Sequence, residues 1–244
     1  MPIDPHTFDS EGWQRGTVVW RQAWPGSKGL VSLRLSKPVS PLCAGQYIKL
    51  ACADADGAWG VRYLSVASAP DGAPELLVAP VTGDREPGDP AGLSIGDAVA
   101  FSCAGAGKLV VPPDGGGTLW LLAAGTGLAP LLAVARAGNT GFECLVLVHS
   151  VRYAGQLAWR DELQERAAQG ELAYVPLVTR HTSGDADPRI TTLIANGRLE
   201  TLARVPFDPA GDAAMLCGSG AMTAETRAAL VALGFLDERV VTEF

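Results

Sequence analysis

LLAAGTGLAPLLA, Leu121 to Ala133, decides the architecture. It opens inside TLWLLAAG, a continuous apolar run of the kind needed by a parallel strand buried on both faces. The chain turns at Gly125-Thr126-Gly127 and goes on as GLAPLLAVARAG, with apolar residues at helical spacing. Pro130 falls in the first helical turn, where its missing N–H would have no partner anyway. The glycines let a ligand approach the backbone closely, and the helix N-terminus offers free N–H groups to a phosphate. The spacing is not G-x-G-x-x-G, because position 130 is Pro. On this stretch alone, a pyrophosphate site and a plain strand-to-helix turn read equally well.

Downstream the same grammar repeats. FECLVLVHS is strand-like, QLAWRDELQERAAQG is an amphipathic helix closed by Gly170, and ELAYVPLVT is again a strand. ITTLIANGRLETLA, AAMLCGS and AMTAETRAALVALG continue the alternation. Four strand–helix units predict an open, doubly wound parallel sheet with ligands at the carboxyl ends of its strands. Upstream the grammar differs. GTVVWRQAW, LVSLRLS, QYIKLACA, VRYLSVAS, ELLVAPV and DAVAFSC are short strands separated by Pro-, Gly- and Asp-rich turns, which predicts an antiparallel barrel. VVPPDGGG, Val110 to Gly117, separates the two, giving an N-terminal barrel over 1–112 and an α/β domain over 113–244.

Composition excludes several classes. No apolar run approaches the ~20 residues of a membrane span, and the polar, acidic start MPIDPHTFDSEGW is neither signal nor transit peptide, so we expect a cytoplasmic protein without a membrane partner. The five cysteines have no C-x-x-C spacing, and the three histidines (His6, His149, His181) have no metal-ligand spacing, so we expect no metal site. The net charge of -7 argues against nucleic acid. The charge is uneven, however: residues 1–50 hold six basic groups and three acidic ones. That face would suit an acidic partner or be ordinary solvated strand edges.

Three further features sit where chemistry belongs. Arg152 and Arg180 each follow a strand of the α/β half, on the same edge as the glycine turn. Two guanidiniums there suit a phosphomonoester, the group that distinguishes a 2′-phosphorylated dinucleotide from its parent. Cys217 ends the last of these strands, and Gly218-Ser219-Gly220 opens the following helix. In the barrel half, GVRYLSVASAP, Gly60 to Pro70, carries Arg62 in a mostly apolar strand, where it needs an anionic partner or water.

In order, the chain shows a barrel with R-x-x-S at Arg62–Ser65, a G-T-G-x-A-P turn at 125–130, C-G-x-x-x-M at 217–222 and the acidic-aromatic end Glu243-Phe244. This combination resembles the ferredoxin–NADP⁺ reductase family over nearly the whole chain. The second half is most similar to the bacterial type. The resemblance implies FAD and NADP(H) as cofactors. It places Arg62 on the FAD pyrophosphate, Ser65 near flavin N5, and Val66, Ala67 and Ser68 along the isoalloxazine and its phosphate. Gly125, Thr126 and Gly127 would hold the NADP pyrophosphate, and Arg152, Arg180 and Arg189 the 2′-phosphate. Cys217, with Gly218 beside it, would meet the nicotinamide, and Glu243 and Phe244 would stand at the ring stack. Ser65, Cys217 and Glu243 are thus the candidate groups at the reaction centre.

The chain also departs from the family pattern Arg-x-Tyr-Ser. Here the string is Arg62-Tyr63-Leu64-Ser65, which places the tyrosine one residue early. Strand side chains alternate, so Tyr63 should face away from Leu64, and Leu64 should take the flavin-facing position. Tyr63→Ala should then act mainly through packing. Pro87 falls near the place where the family has a hydroxyl for the FAD phosphate. The implied activity is hydride transfer between NADP(H) and flavin N5, coupled to a small one-electron carrier, a ferredoxin or flavodoxin, by a monomeric enzyme. The alternatives are a reductase for an oxygenase component, ferric chelate or free flavin, and a flavin-poor NADP(H)-binding sensor or assembly module.

Overall fold

The computed structural model describes residues 4–54, 56–80, 87–180 and 188–243. Its first half contains β1 (Trp13–Ala23), β2 (Val31–Leu35), β3 (Tyr47–Ala53), β4 (Trp59–Ser65), β5 (Glu75–Val78) and β6 (Ala98–Ser102). These strands pair in the order β4-β3-β6-β1-β2-β5. An antiparallel bridge between Val66 and Leu76 draws the two ends of that order together, so the sheet nearly closes into a barrel. β1 serves both halves of the barrel, pairing with β6 through Trp13–Thr17 and with β2 beyond Val18, where its register shifts. Period-two alternation decides what fills the interior. Val18, Leu33, Leu35, Ile48, Leu50, Val99 and Phe101 form the inner cluster, while Phe8, with Trp13 and Trp59, covers Ala51 and Ala100 from outside.

The second half begins with β7 (Gly116–Ala124) and continues through α1 (Leu128–Ala137), β8 (Phe142–Val151), α2 (Arg160–Ala168), β9 (Ala173–Val178), α3 (Ile190–Ala195), α4 (Arg198–Ala203), β10 (Ala213–Cys217), α5 (Gly220–Ala232) and β11 (Val240–Thr242). The five strands are parallel in the order β11-β10-β7-β8-β9. The chain therefore steps outward from β7 to β9, then returns to the other side of β7. That reversal, between β7 and β10, is the switch point where such sheets bind ligands. The unbroken apolar run of β7 is explained by cover on both faces. Leu119, Leu121 and Ala123 pack with α1, while Trp120 and Leu122 pack with Ile190, Leu199 and Leu230 of α3, α4 and α5. Each of these large side chains is fully buried, a burial worth about 1.5–3 kcal/mol apiece.

The predicted elements shift in three places. The helix expected over Gln156–Gly170 starts only at Arg160, because Trp159 takes the left-handed conformation at φ 52°. The helix expected over 190–203 is two helices, broken at Asn196-Gly197, where Gly197 sits at φ 70°. The fifth strand, β11, was not anticipated.

The two sheets are joined by ions as well as apolar packing. Arg136 of α1 donates from Nη1 to the Ala67 carbonyl at 2.9 Å and to Glu75 of β5 at 2.7 Å, and from Nε to Glu162 of α2 at 2.8 Å. Leu30, Ala67, Leu77 and Leu109 of the first half enter the same buried cluster as α1. The end of β4 is thus held against the first helix of the parallel sheet.

Candidate functional site

Two hollows meet at the carboxyl end of β7. One, of about 390 Å³, is walled by Tyr63, Leu64 and Ser65 of β4 on one side, and by Gly125, Thr126, Gly127 and Cys217 on the other. The second, of about 970 Å³, extends along the sheet edge and is lined by Arg152, Arg180, Arg189, Thr192 and Glu225 among others. Ala124, Gly125 and Ser219 line both, so the two are continuous. The topology thereby brings the barrel motif, the glycine turn, the three arginines, Cys217 and Gly218 into one cleft.

The glycines of the turn do different work from that expected. Gly127 is buried, and a Cβ there would strike the carbonyl of Cys217; its bareness lets β7 and β10 approach each other. Gly218 is similar, since a Cβ would lie 2.9 Å from that of Ala124. Gly125 is the one that faces the cleft: it is exposed, sits at φ +57°, and a Cβ there would meet nothing within 4 Å. Among the described residues no side chain caps the turn or the start of α1, which leaves its N–H groups to a ligand.

Arg152, Arg180 and Arg189 are exposed, and among the described residues none of them pairs with a carboxylate, although Glu225 lines the same cleft. The Arg180 guanidinium, with nearby Lys28, holds the Tyr153 phenol below its ordinary pKa. The cation of Lys28 lies 4.3 Å from the Tyr153 ring centre, tying the β1–β2 hairpin to this edge. This donor set fits a 2′-phosphorylated dinucleotide: one open glycine turn, uncapped N–H groups and three cations without carboxylate partners among the described residues.

On the barrel side the alternation holds. Leu64 packs on the inner cluster, and Tyr63 faces outward, with its ring edge-on to Tyr47 at 5.6 Å. Both still reach the cleft wall, because β4 ends there. Tyr63 is 64% exposed, which corrects the expectation that its loss would act through packing. Ser65 is half-buried and its hydroxyl has no hydrogen-bond partner among the described residues, which suits a ligand at this wall. Arg62 donates to the carbonyl of Val61. The N–H of Val66 is taken by Gln46 and that of Ala67 by Glu75, and both residues are buried in the core, so they are closed to a ligand, which corrects the expectation that they follow the isoalloxazine and its phosphate. The Ser68 hydroxyl accepts from the Glu75 N–H. Pro87 lies beside the start of β4, its carbonyl against Gly60.

Burial, with the negative charge of Glu243 as the second cause, pushes the Cys217 thiol up to about 11. It is protonated at neutral pH and serves as a small wall rather than a nucleophile. Glu243 follows β11 and accepts from the N–H groups of Lys108 and Leu109 at 3.2 and 3.1 Å, which binds the chain end to the linker between the sheets. The expectation for Phe244 lies outside the described residues.

A residue that the sequence reading set aside lies under the turn. His149 of β8 is completely buried, and its Nε2 stands 3.1 Å from the Gly125 carbonyl. Its one legible signal was a polar ring inside an apolar strand beside the glycine turn. The strand-end hydroxyls Ser150 and Thr179 also line the cleft and were not singled out.

A nearly closed barrel docked on the switch point of a parallel sheet, with an open glycine turn between them, is the arrangement of a two-domain nucleotide-dependent oxidoreductase. Residues 121–228 match the model of the oxidoreductase NAD-binding domain. The chain is 36% identical to a flavodoxin/ferredoxin–NADP reductase of Shigella flexneri and 35% identical to that of Escherichia coli, each match covering 88% of both chains. It belongs to the flavodoxin/ferredoxin–NADP reductase family. The fold is similar to a ferredoxin–NADP⁺ reductase from Neisseria gonorrhoeae with bound FAD and NADP, at TM-score 0.79 and 23% identity over 96% of this chain and 99% of that one.

Proposed function

We propose that this protein is a flavoenzyme that moves electrons between NADP(H) and a ferredoxin or flavodoxin through FAD. One observation carries the reading: the wall formed by Leu64 and Ser65 faces the glycine turn and Cys217 across a single hollow, continuous with the arginine-lined cleft. A planar ring on β4 and a nicotinamide entering from the turn would meet there. FAD, when bound, supplies the conversion between a two-electron hydride and single electrons. The share of this chain is alignment. Residues 1–112 hold FAD through Arg62 and the wall Tyr63–Ser65, and 113–244 hold NADP(H). The turn Gly125–Gly127 takes the pyrophosphate, and Arg152, Arg180 and Arg189 take the 2′-phosphate. Cys217 and Gly218 leave room for a flat ring without presenting a charge to it, and Ser65 offers it a hydroxyl. Glu243, tied to Lys108 and Leu109, sets the electrostatics beside Cys217.

Among the described residues no helix is long and apolar enough to cross a membrane. We infer a cytoplasmic monomer working with a diffusing acidic carrier, steered by the basic N-terminal face. An absorbance spectrum tests the reading directly. The purified protein should show flavin bands near ~450 nm, bleach with NADPH, and then reduce ferredoxin or flavodoxin at a rate that falls with added salt. A colourless protein that FAD cannot reconstitute would refute it.

A further inference from the structure

His149 has no place in the reading so far, yet it is the most constrained polar side chain near the site. It is 0% exposed, on the face of β8 that lies under α1 with Leu147. Its cross-strand neighbours are Ala123 of β7 and Pro176 of β9. Its Nε2 lies 3.1 Å from the carbonyl oxygen of Gly125. A carbonyl can only accept, so Nε2 carries the proton, and Nδ1 is a bare acceptor. Among the described residues that Nδ1 has no partner. An imidazole so buried, with one nitrogen unsatisfied, costs stability, and a leucine would fill the space without that cost.

The peptide group explains what this cost obtains. The Gly125 carbonyl and the Thr126 N–H belong to one planar trans peptide, and therefore point in opposite directions. Fixing the carbonyl inward, onto His149, fixes the Thr126 N–H outward. Thr126 is exposed and lines the hollow beside the cleft. The Leu128 N–H also bonds the Gly125 carbonyl, so the same oxygen is held from two directions. Gly125 itself is at φ +57° with open space around it, and glycine alone would let this peptide rotate freely.

We propose that His149 is a positioning residue for dinucleotide binding: by holding the Gly125 carbonyl it aims the Thr126 N–H at the pyrophosphate. The proposal rests on the reading of the turn as the NADP(H) pyrophosphate site. Burial keeps the ring neutral throughout the neutral range, with its pKa pushed down to about 4 against the opposing effect of the bond to Gly125.

The test compares two ligands on three variants, with binding measured by perturbation of the flavin spectrum or by calorimetry. NADP⁺ carries the pyrophosphate; adenosine 2′-monophosphate carries the 2′-phosphate without it. His149→Leu should weaken NADP⁺ by about tenfold, the loss of one hydrogen bond, and leave adenosine 2′-monophosphate within twofold. His149→Gln places an amide nitrogen at the reach of Nε2 and should keep NADP⁺ within threefold. His149→Asn stops at the reach of Nδ1 and should behave like His149→Leu, which keeps the test open if the leucine variant does not fold. Equal weakening of both ligands would make His149 a folding residue only and overturn the assignment. Unchanged NADP⁺ binding in the leucine and asparagine variants would overturn it too. A wild-type protein that binds neither ligand would instead overturn the reading of the cleft, and this assignment with it.

Discussion

Arg136→Met should separate the packing of the two sheets from the chemistry between them. The Arg136 guanidinium holds Glu75 and the Ala67 carbonyl of the barrel half and Glu162 of the sheet half, and it lies 5.2 Å from the Trp159 ring centre. The Glu75 side chain is 6% exposed, and its other cation, Arg34, lies 3.7 Å away. Methionine keeps the aliphatic bulk but leaves a buried carboxylate with only the longer, half-exposed contact to Arg34 among the described residues. Removing one partner of a buried pair costs about 3–5 kcal/mol. With Arg34 keeping part of the attraction, we expect the lower end, about 3 kcal/mol. For a chain of this length that is a fall in melting temperature of roughly 6–12 °C. Turnover should fall by about tenfold, because Ser65 and Gly125 lose their fixed separation, while KM for NADPH stays within threefold. Thermal melts and steady-state kinetics read both. The double variant Arg136→Met/Glu75→Gln should recover about 2 kcal/mol of the added single effects, since the stranded charge is gone. The more exposed pair Arg166–Glu171 is the control, and Glu171→Gln, which leaves the Arg166 contact with Glu162 in place, should cost under about 1 kcal/mol. A melting shift below 2 °C for Arg136→Met, or strict additivity with Glu75→Gln, would refute the reasoning.

Three other expectations follow from the site. Arg152→Ala with Arg180→Ala should raise the apparent constant for NADPH by about a hundredfold, two charge-assisted bonds at about 1.5 kcal/mol or somewhat more each, while NADH changes by less than threefold; equal losses for both would remove the 2′-phosphate role. His149 should make the protein acid-sensitive in a defined window. Its folded pKa, about 4, is below the ordinary 6.5, so its contribution is fully present above pH 6.5 and is lost as pH falls toward 4, about 3 kcal/mol in all. Urea unfolding at pH 7 and pH 4 should show His149→Gln losing less stability than wild type by that amount, and parallel losses would contradict it. Leu64→Tyr should tighten FAD, measured by flavin release on dilution, because the wall that Leu64 shares with Ser65 would gain an aromatic face; an unchanged or faster release would misplace the ring.

What the sequence disclosed and what it hid divide along physical lines. Local rules were enough for the barrel, whose strands alternate, and for β7, whose unbroken apolar run demands cover on both faces. They were also enough for the shared edge of Gly125, Arg152 and Arg180, since each follows a recognisable strand. They did not disclose β11, which is three residues long and holds by pairing with β10. Nor did they disclose the left-handed Trp159, whose conformation no residue type signals. The Arg136–Glu75 pair joins positions 61 residues apart, and periodicity cannot see it. His149 was visible only as a histidine without metal-ligand spacing. Its role appears when β8 is laid beside β7 and the glycine carbonyl comes into reach.

The two glycines of the turn show why one motif resists a single explanation. Both were expected to admit a ligand. Gly127 instead admits the Cys217 carbonyl, drawing the ends of β7 and β10 together at the switch point, while Gly125 stays open to the cleft. A side chain at Gly127 would therefore push apart the two strand ends that form one wall, and it should disturb folding as well as binding. A side chain at Gly125 meets no neighbour but requires a left-handed backbone, which for an L-residue costs about 1–2 kcal/mol. The dihedral at that position is the one His149 stabilises from below. Sequence spacing treats the two glycines as one signature; the structure splits them into a joint between strands and a peptide open to the cleft, and only the second has room for a ligand.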